Sequence, residues 1–114
     1  MAPLIVGEDQ AGHLHRAGEL MEKMTRNHPK ARGITKRALN QAARELLLAQ
    51  ASDWAFMLNS GVMTEYATKR TKRHLLRLDQ ICSGIEGANI DQAWLSLIES
   101  QDNIFPTIDY RAFF

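Results

Sequence analysis

A run of cations between Lys69 and Arg77 is the densest group of charged residues that could bind a ligand. It comprises Lys69, Arg70, Lys72, Arg73 and Arg77, with His74 among them. Lysine and arginine on one helix face attract nucleic-acid phosphates regardless of base sequence. At helical spacing, however, these side chains spread around the helix, which is typical of a solvated charged face. We therefore do not expect nucleic acid as a partner.

Two groups of histidines could bind a metal or transfer protons. His13 and His15 are two residues apart, and a helix directs such side chains away from each other, so they are poorly placed to share a metal ion. Tyr66, Arg70 and His74 follow at intervals of four and predict a polar line along one helix. A hydrogen-bonded structural line is the better interpretation, because no Asp or Cys adjoins His74 in the sequence to orient it for catalysis.

The carboxylates and hydroxyls show no spacing that is typical of a catalytic group. The acidic candidates in unusual sequence contexts are Asp53, Glu65, Asp102 and Asp109. None has a partner at a recognisable interval, and we interpret Asp53 and Asp102 as helix-end or turn residues. Ser52 and Ser60 lack the strand and glycine elbow of a hydrolase nucleophile, and the sequence has no phosphate-binding glycine loop. We therefore expect no catalytic residue, no metal ligand and no cofactor in this chain.

The composition is that of one globular domain, since 45% of the 114 residues are hydrophobic and 24% are charged. The one cysteine, Cys82, has no partner for an internal disulfide and belongs to no Cys/His set with zinc-site spacing. No apolar run approaches the roughly 18 residues of a membrane span, and the segment from Met1 to Val6 is too short for a signal peptide. We expect a cytoplasmic protein with no membrane association.

Positive and negative charges are divided between two parts of the chain, although the formal net charge is only +1. From Gln10 to Arg77 there are 13 Lys and Arg residues against 5 acids, whereas Leu78 to Tyr110 contains 6 acids and no Lys or Arg. Such parts can attract each other within the fold or each bind a different partner, and the sequence leaves both alternatives open.

Apolar residues recur at helical intervals along nearly the whole chain, and no segment alternates as a strand does. We therefore predict an all-α fold, a bundle of about four main helices. Predicted helices cover about residues 8–27, 62–83 and 90–101, and another begins at an N-cap, Thr35. The pattern of that helix changes at Ser52-Asp53-Trp54, where the chain either breaks and presents aromatic groups or continues as a helix buried on all sides.

Each predicted helix has an apolar face that should pack in the core. In chain order these faces comprise Leu14, Ala17, Met21 and Met24; Leu39, Ala42, Ala43, Leu46 and Leu47; Ala67, Thr71, His74, Leu78, Ile81 and Ile85; and Ala93, Trp94, Leu97 and Ile98. Residues 103–114 lack helical periodicity but contain four of the eight aromatic residues. We predict an extended aromatic C-terminal tail that docks on this domain or on a partner.

Several short sequence motifs resemble those of one known family. The run Ala38–Phe56, which contains Ser52-Asp53-Trp54, is similar to the start of the helical C-terminal domain of glycoside hydrolase family 57 enzymes of the 1,4-alpha-glucan branching type. Other motifs resemble further parts of that domain in the same order: His13–Ala17, Tyr66-Ala67 with Arg70 and His74, Asp102–Pro106, and Ile108–Arg111. The resemblance covers about residues 9–112.

The resemblance implies that residues 9–114 form a helical domain that packs on a catalytic barrel, an incomplete (β/α) barrel with a glutamate nucleophile and an aspartate acid/base. Residues 1–8 depart from the family and are interpreted as an artificial start, an irregular N-terminus or the start of a truncated gene product. Because retaining chemistry needs two carboxyl groups about 5 Å apart at the glycosidic bond, this chain alone should be inactive. It would contact alpha-glucan only as part of the complete enzyme, in glycogen or alpha-glucan synthesis.

The resemblance also implies two residues at the substrate. In the family the tryptophan of the Ser-Asp-Trp motif faces the sugar, so Trp54 and the adjacent Asp53 should contribute to the glucan-binding cleft. From the residues alone, a core tryptophan is an equal alternative for Trp54, and Trp94 is interpreted as a core residue. The absent barrel further predicts exposed apolar surface, and hence self-association at high concentration.

A second interpretation is a free-standing helical module that binds a protein or a nucleic acid through its basic helix or its aromatic tail. The gene upstream of Met1 separates the two interpretations. An in-frame barrel with its Glu and Asp supports the branching-enzyme domain, whereas a true start codon supports the independent module.

Overall fold

Four α-helices make up the computed structural model, which describes the backbone of residues 10–58 and 62–112 and the side chains of residues 12–54 and 65–112. Within those ranges it contains no strand, so the predicted all-α fold is confirmed. In chain order the helices are α1 (Gln10–Asn27), α2 (Gly33–Leu58), α3 (Val62–Glu86) and α4 (Gln92–Gln101), followed by a short 3-10 helix at Tyr110–Ala112. None of these helices is long and apolar enough to cross a membrane. The expectations for residues 1–8, Ser60, Phe113 and Phe114 lie outside the described residues.

The two long helices, α2 and α3, form the centre of the fold, and α1 and α4 pack against α2. The predicted face of α3 is confirmed, because each of its members is buried, and that of α2 is confirmed except for Leu47, which is only partly buried. Ala42 and Ala43 in the α2 face are fully buried. Small alanine side chains allow the helix axes to approach closely. The largest apolar side chains of the resulting core are Met21, Met24, Leu39, Leu46, Leu75, Leu78, Leu95 and Ile98.

Helix α2 extends further than predicted at both ends. It begins at Gly33, a glycine with a φ of +61°, so Thr35 lies inside the first turn and the predicted N-cap is wrong. At the other end the helix continues through Asp53 and Trp54 to Leu58. Residues of these types cost well under about 1 kcal/mol each in a helix, and the stretch contains no proline or glycine that would break it. Neither predicted alternative holds there, because the helix is continuous and Trp54 is 61% exposed.

Helix α4 turns a different face to the core than its sequence predicted. Leu95 and Ile98 are buried and Trp94 is partly buried, whereas Ala93 and Leu97 are exposed. The expectation was therefore wrong for Ala93 and Leu97 and only partly right for Trp94. A helix of 10 residues has fewer than three turns, so its apolar pattern does not define one orientation by itself.

The tail, residues 103–112, docks on this domain through two buried side chains. Ile108 and Tyr110 are buried in the core. The Tyr110 backbone N–H donates to Asn40 Oδ1 at 3.0 Å, and the Tyr110 hydroxyl donates to the His28 carbonyl. Docking on the domain is thus confirmed for the described part of the tail. Its end is a 3-10 turn rather than an extended segment, because Tyr110 must bury its ring while its backbone bonds to α2.

Within the part of the chain that the structure describes, two arginine ion pairs connect the basic and the acidic parts. Arg37 Nη2 on α2 lies 2.6 Å from Glu99 Oε1 on α4. Arg77 Nη1 on α3 lies 2.5 Å from Asp102 Oδ2 at the end of α4. At these points the two parts attract each other within the fold, which was one of the two alternatives that the sequence left open.

We predict that Tyr110→Phe lowers the free energy of unfolding by about 0.5–1.5 kcal/mol, because the His28 carbonyl loses its donor. Tyr110→Ala should cost about 3–5 kcal/mol, since it also leaves a cavity. Urea unfolding measures both values. Tyr66→Phe is the matched control, because Tyr66 is 55% exposed and should change stability by less than about 0.5 kcal/mol. Equal stability of the Tyr110→Phe and Tyr66→Phe variants would contradict the docking role of the hydroxyl.

Candidate functional site

One face of α2 carries polar side chains directed at α3, α4 and the tail. They are Arg37, Gln41, Arg44 and Glu45, and we refer to them as the polar stripe. Their spacing of four, three and one residues places them on the same side of the helix. Gln41 and Glu45 are fully buried and Arg44 is 8% exposed. Buried polar groups of this kind are costly unless they are hydrogen-bonded, so their partners must come from the surrounding elements.

Glu45 lies at the centre of a group of charged side chains. Its Oε1 is 2.8 Å from His74 Nδ1 on α3, and its Oε2 accepts a hydrogen bond from Gln41 Nε2 at 2.8 Å. Asp102 Oδ2 lies 3.5 Å from the same His74 nitrogen and 2.5 Å from Arg77 Nη1. We call Glu45, His74, Asp102 and Arg77 the buried cluster. It joins α2, α3 and the C-terminal end of α4.

The two carboxyl groups of the buried cluster have opposite pKa shifts. Burial raises the pKa of Glu45 from 4.5 to about 7, against the opposing hydrogen bonds from His74 and Gln41. Burial also acts to raise the pKa of Asp102, but hydrogen bonds from Glu45 and Arg77 outweigh it and hold that pKa below its usual 3.8. His74 Nδ1 donates to Glu45 Oε1 in either protonation state of the acid, and a protonated Glu45 donates its own proton to Asp102. The 2.8 Å contact is therefore satisfied in either protonation state.

The buried cluster has the donor types of a metal centre, since the ligand atoms of Glu45, His74 and Asp102 lie within 4.8 Å of one another. Two observations argue against a metal. The guanidinium of Arg77 already supplies positive charge at Asp102 Oδ2. A metal-binding histidine generally donates from its second nitrogen, yet His74 Nε2 is buried and has no hydrogen-bond partner among the described residues. The donor set does not fit a metal centre, and we interpret it as a structural network.

Gln41 satisfies backbone carbonyls at the end of α4. Its Nε2 donates to the carbonyl oxygens of Asp102 at 3.1 Å and Ile98 at 3.4 Å. The last carbonyls of a helix have no partner within the helix itself. Gln41 on α2 therefore caps the C-terminus of α4 and fixes where the tail begins.

Arg44 holds the first part of the tail by its backbone. Its Nε donates to the Ile104 carbonyl at 2.9 Å, and its Nη2 donates to the Pro106 carbonyl at 3.0 Å. Its Nη1 donates to Gln41 Oε1 at 2.8 Å. Between the two carbonyls, Phe105 has a φ of +48° and is 55% exposed. The planar guanidinium thus stabilises a loop conformation that a non-glycine residue rarely adopts.

The Ser-Asp-Trp motif lies near the C-terminal end of α2, separate from the buried cluster. Ser52 is buried, Asp53 is partly buried and Trp54 is 61% exposed. Nine residues of helix, about 14 Å, lie between Glu45 and Trp54. The alternative that Trp54 is a core residue of this chain is therefore wrong. The structure offers Trp54 as an exposed aromatic group on a continuous helix.

Two cations of the basic run on α3 have partners among neighbouring side chains. Lys69 Nζ lies 3.3 Å from Glu65 Oε1, and the Arg70 guanidinium lies 5.7 Å from the centre of the Tyr66 ring. This pairing supports a solvated charged face. The predicted polar line is wrong in part, because Arg70 donates to the Tyr66 hydroxyl near the surface while His74 is fully buried in the cluster.

The two N-terminal histidines point in different directions, as predicted. His13 is buried, whereas His15 is exposed and its Nε2 lies 2.7 Å from Glu19 Oε1. They do not share a site.

Comparisons with known proteins point to one family. Residues 13–113 match the family model described as 1,4-alpha-glucan branching enzyme, C-terminal. A 1,4-alpha-glucan branching enzyme of Thermococcus kodakarensis is 32% identical over 97 residues, which are 82% of this chain but 14% of that enzyme. The crystal structure of the alpha-amylase AmyC from Thermotoga maritima matches with a TM-score of 0.73 and 35% identity, over 86% of this chain and 20% of that one. The chain thus spans a minor part of the length of both relatives.

We predict that Glu45 makes stability fall as pH rises from 4.5 to about 7. The folded protein keeps a proton on Glu45 in this window, because burial raises its pKa, whereas the unfolded chain releases it. The free energy of unfolding then decreases with pH, by up to about 3 kcal/mol for this group. The lowered pKa of Asp102 acts in the opposite sense but only below pH 3.8. Urea unfolding at a series of pH values measures the slope.

The variant that tests this is Glu45→Gln, which keeps the side-chain size but removes the titration. Its free energy of unfolding should decline less with pH than that of the wild type. Glu99→Gln is the control, because Glu99 is the partner of Arg37 near the surface, and it should keep the wild-type slope. A Glu45→Gln variant that declines as steeply as the wild type would show that Glu45 is ionised throughout.

Proposed function

Since the chain belongs to the family of 1,4-alpha-glucan branching enzyme C-terminal domains, we propose that it is the non-catalytic helical domain of such an enzyme. It packs on the catalytic barrel of the complete enzyme and forms one side of the glucan-binding cleft. The reaction that it serves is the transfer of an alpha-glucan segment to a second glucan, in glycogen or alpha-glucan synthesis.

The observation that carries this proposal is that residues 13–113, nearly the whole chain, match the family model, while the Thermococcus enzyme is matched over only 14% of its own length. A catalytic domain in the remainder of such an enzyme would supply the reacting carboxyl groups. The arrangement of acids here supports a non-catalytic role. Glu45 and Asp102 are the closest buried carboxyl pair that we describe, but they face His74 and Arg77 rather than a cleft where a glycosidic bond could lie.

Exposed apolar side chains supply surface for the contact with the catalytic barrel. Among the described residues the large exposed ones besides Trp54 are Tyr66, Leu76, Leu97 and Phe105. Exposed apolar groups on an isolated domain are often covered by a partner. For the same reason we propose that the isolated chain associates with itself at high concentration.

Trp54 is the residue that we propose at the glucan, with Asp53 beside it. Sugars present a face of C–H bonds that packs on an aromatic ring, and hydroxyls that bond to neighbouring polar groups. An indole has only two side-chain torsions, so ordering it on binding costs little conformational entropy. Because branching requires a glucan rather than water to receive the covalent intermediate, an aromatic platform would favour transfer both by positioning the acceptor and by excluding water.

The alternative of a free-standing nucleic-acid-binding module receives less support from the structure. Several cations of the basic run already have partners, including Lys69 and Arg77. No specific contact surface for a nucleic acid follows from the remaining ones.

We predict that Trp54→Ala in the complete enzyme lowers the branching rate about 10 to 100-fold, which corresponds to roughly 1–3 kcal/mol of barrier. Hydrolysis should rise relative to transfer, because water replaces the acceptor. Stability should change by less than about 0.5 kcal/mol, since the side chain is exposed. Counting new alpha-1,6 branches and new reducing ends from amylose, together with the melting temperature, measures all three effects.

Glu22→Ala is the control for that experiment, because Glu22 is exposed on a different helix, α1, and belongs neither to the glucan contact nor to the apolar surface proposed to meet the barrel. It should keep both the branching rate and the ratio of branching to hydrolysis. A Trp54→Ala enzyme with wild-type branching and an unchanged ratio would contradict the cleft role of Trp54.

A further inference from the structure

A second candidate site lies at the other end of α2. A surface pocket of about 250 Å³ opens between the end of α3, the loop that follows it and the start of α4. Its floor consists of the buried side chains of Ala38, Ile81 and Leu95. Trp94, which is partly buried, packs against the core and also lines the pocket. The pocket therefore offers part of an indole above an apolar floor.

The rim of the pocket carries unused polar groups. Gln80 and Asn89 are exposed, and their side chains form no hydrogen bond within the part of the chain that the structure describes. Asp91 caps α4 through Oδ1, which accepts from the Trp94 backbone N–H at 3.0 Å, and this leaves its Oδ2 for another donor. A Cβ on Gly84 would lie 3.2 Å from the Asn89 carbonyl, so the glycine allows the close approach that positions this rim.

This combination selects a neutral polyhydroxyl ligand. The volume equals that of about eight liquid waters, which gives room for one sugar ring. Two amides and a carboxylate supply both donors and acceptors for hydroxyl groups. The Asp91 carboxylate disfavours an anion such as a phosphate, and the polar rim disfavours a purely apolar ligand.

We propose that this pocket is a second alpha-glucan contact, in which a glucosyl unit lies against Trp94 and its hydroxyls bond to Gln80, Asn89 and Asp91. The proposal rests on the proposed function, because that function makes alpha-glucan the available ligand. The contact is separate from Trp54. Ala38 on the pocket floor and Trp54 are 16 residues apart on α2, a distance of about 24 Å along the helix.

The two tryptophans of the chain allow both contacts to be observed at once. Each gives one indole N–H signal in a nitrogen-proton correlation spectrum, and the variants Trp54→Phe and Trp94→Phe assign the two signals. Titration of the full chain with maltotriose should move the Trp94 signal in a saturable way. Cellotriose, whose linkages are beta, should not move it at the same concentrations.

Two rim variants test the contacts without touching the core. Gln80→Ala and Asn89→Ala should each weaken the maltotriose response of Trp94 about threefold to tenfold, the value of one lost hydrogen bond. They should leave the response of Trp54 unchanged. Asn27→Ala, which removes an exposed amide at the end of α1, is the control and should leave both responses unchanged.

The outcomes separate this inference from the proposed function. A response of Trp54 with a silent Trp94 would overturn the second contact and leave the first in place. A response of Trp94 alone would support the second contact and would agree with a Trp54 platform that binds glucan only when the barrel completes the cleft. A Trp94 response that neither rim variant weakens, or that cellotriose also produces, would overturn the pocket as a specific glucan contact.

Discussion

Arg44 and Glu45 are adjacent ionisable residues buried inside a small helical domain, and the rest of the fold supplies their partners. Leaving either without a partner would cost several kcal/mol, a large share of the stability of a domain of this size. Glu45 is satisfied by His74 on α3, and Arg44 by backbone carbonyls of the tail. An arrangement with α3 or the tail displaced would leave one of these groups unsatisfied. The polar stripe therefore penalises alternative packings that apolar contacts alone would tolerate.

The sequence motifs that carry the family resemblance divide into two structural classes. Most of them bond to one another across the fold: Asn40 accepts from the Tyr110 backbone, and Gln41 caps the end of α4 at Asp102. The folding of the domain itself accounts for these motifs. Asp53 and Trp54 belong to the other class, because they lie beyond the polar stripe and Trp54 is largely exposed. Trp54 is an exposed aromatic residue within a motif whose other residues have structural roles, and this exposure supports its role in binding.

The helices and most of the core could be predicted from the sequence, whereas the buried cluster could not. Periodicity identifies which face of a long helix is apolar, and every residue predicted for the α3 face is buried, although Leu75 and Cys82 are buried there too and were not predicted. It does not reveal that Glu45 meets His74, because 29 residues separate them and neither sequence context is unusual. The one available signal was that Gln41, Arg44 and Glu45 lie on the same side of α2 as its apolar face. In α4 the short length left the orientation undetermined, which is why the pocket beside Trp94 was missed.

Arg44 fixes the tail, and amide hydrogen exchange tests this role most directly. In Arg44→Met the Ile108 and Tyr110 amides, which bond to Phe105 O and Asn40 Oδ1, should exchange at least about tenfold faster relative to the Leu78 amide in the centre of α3. Arg44→Lys keeps the charge but loses the planar fork, so it should give an intermediate effect and serves if the first variant does not fold. Tail amides that keep their protection relative to Leu78 in both variants would contradict the account.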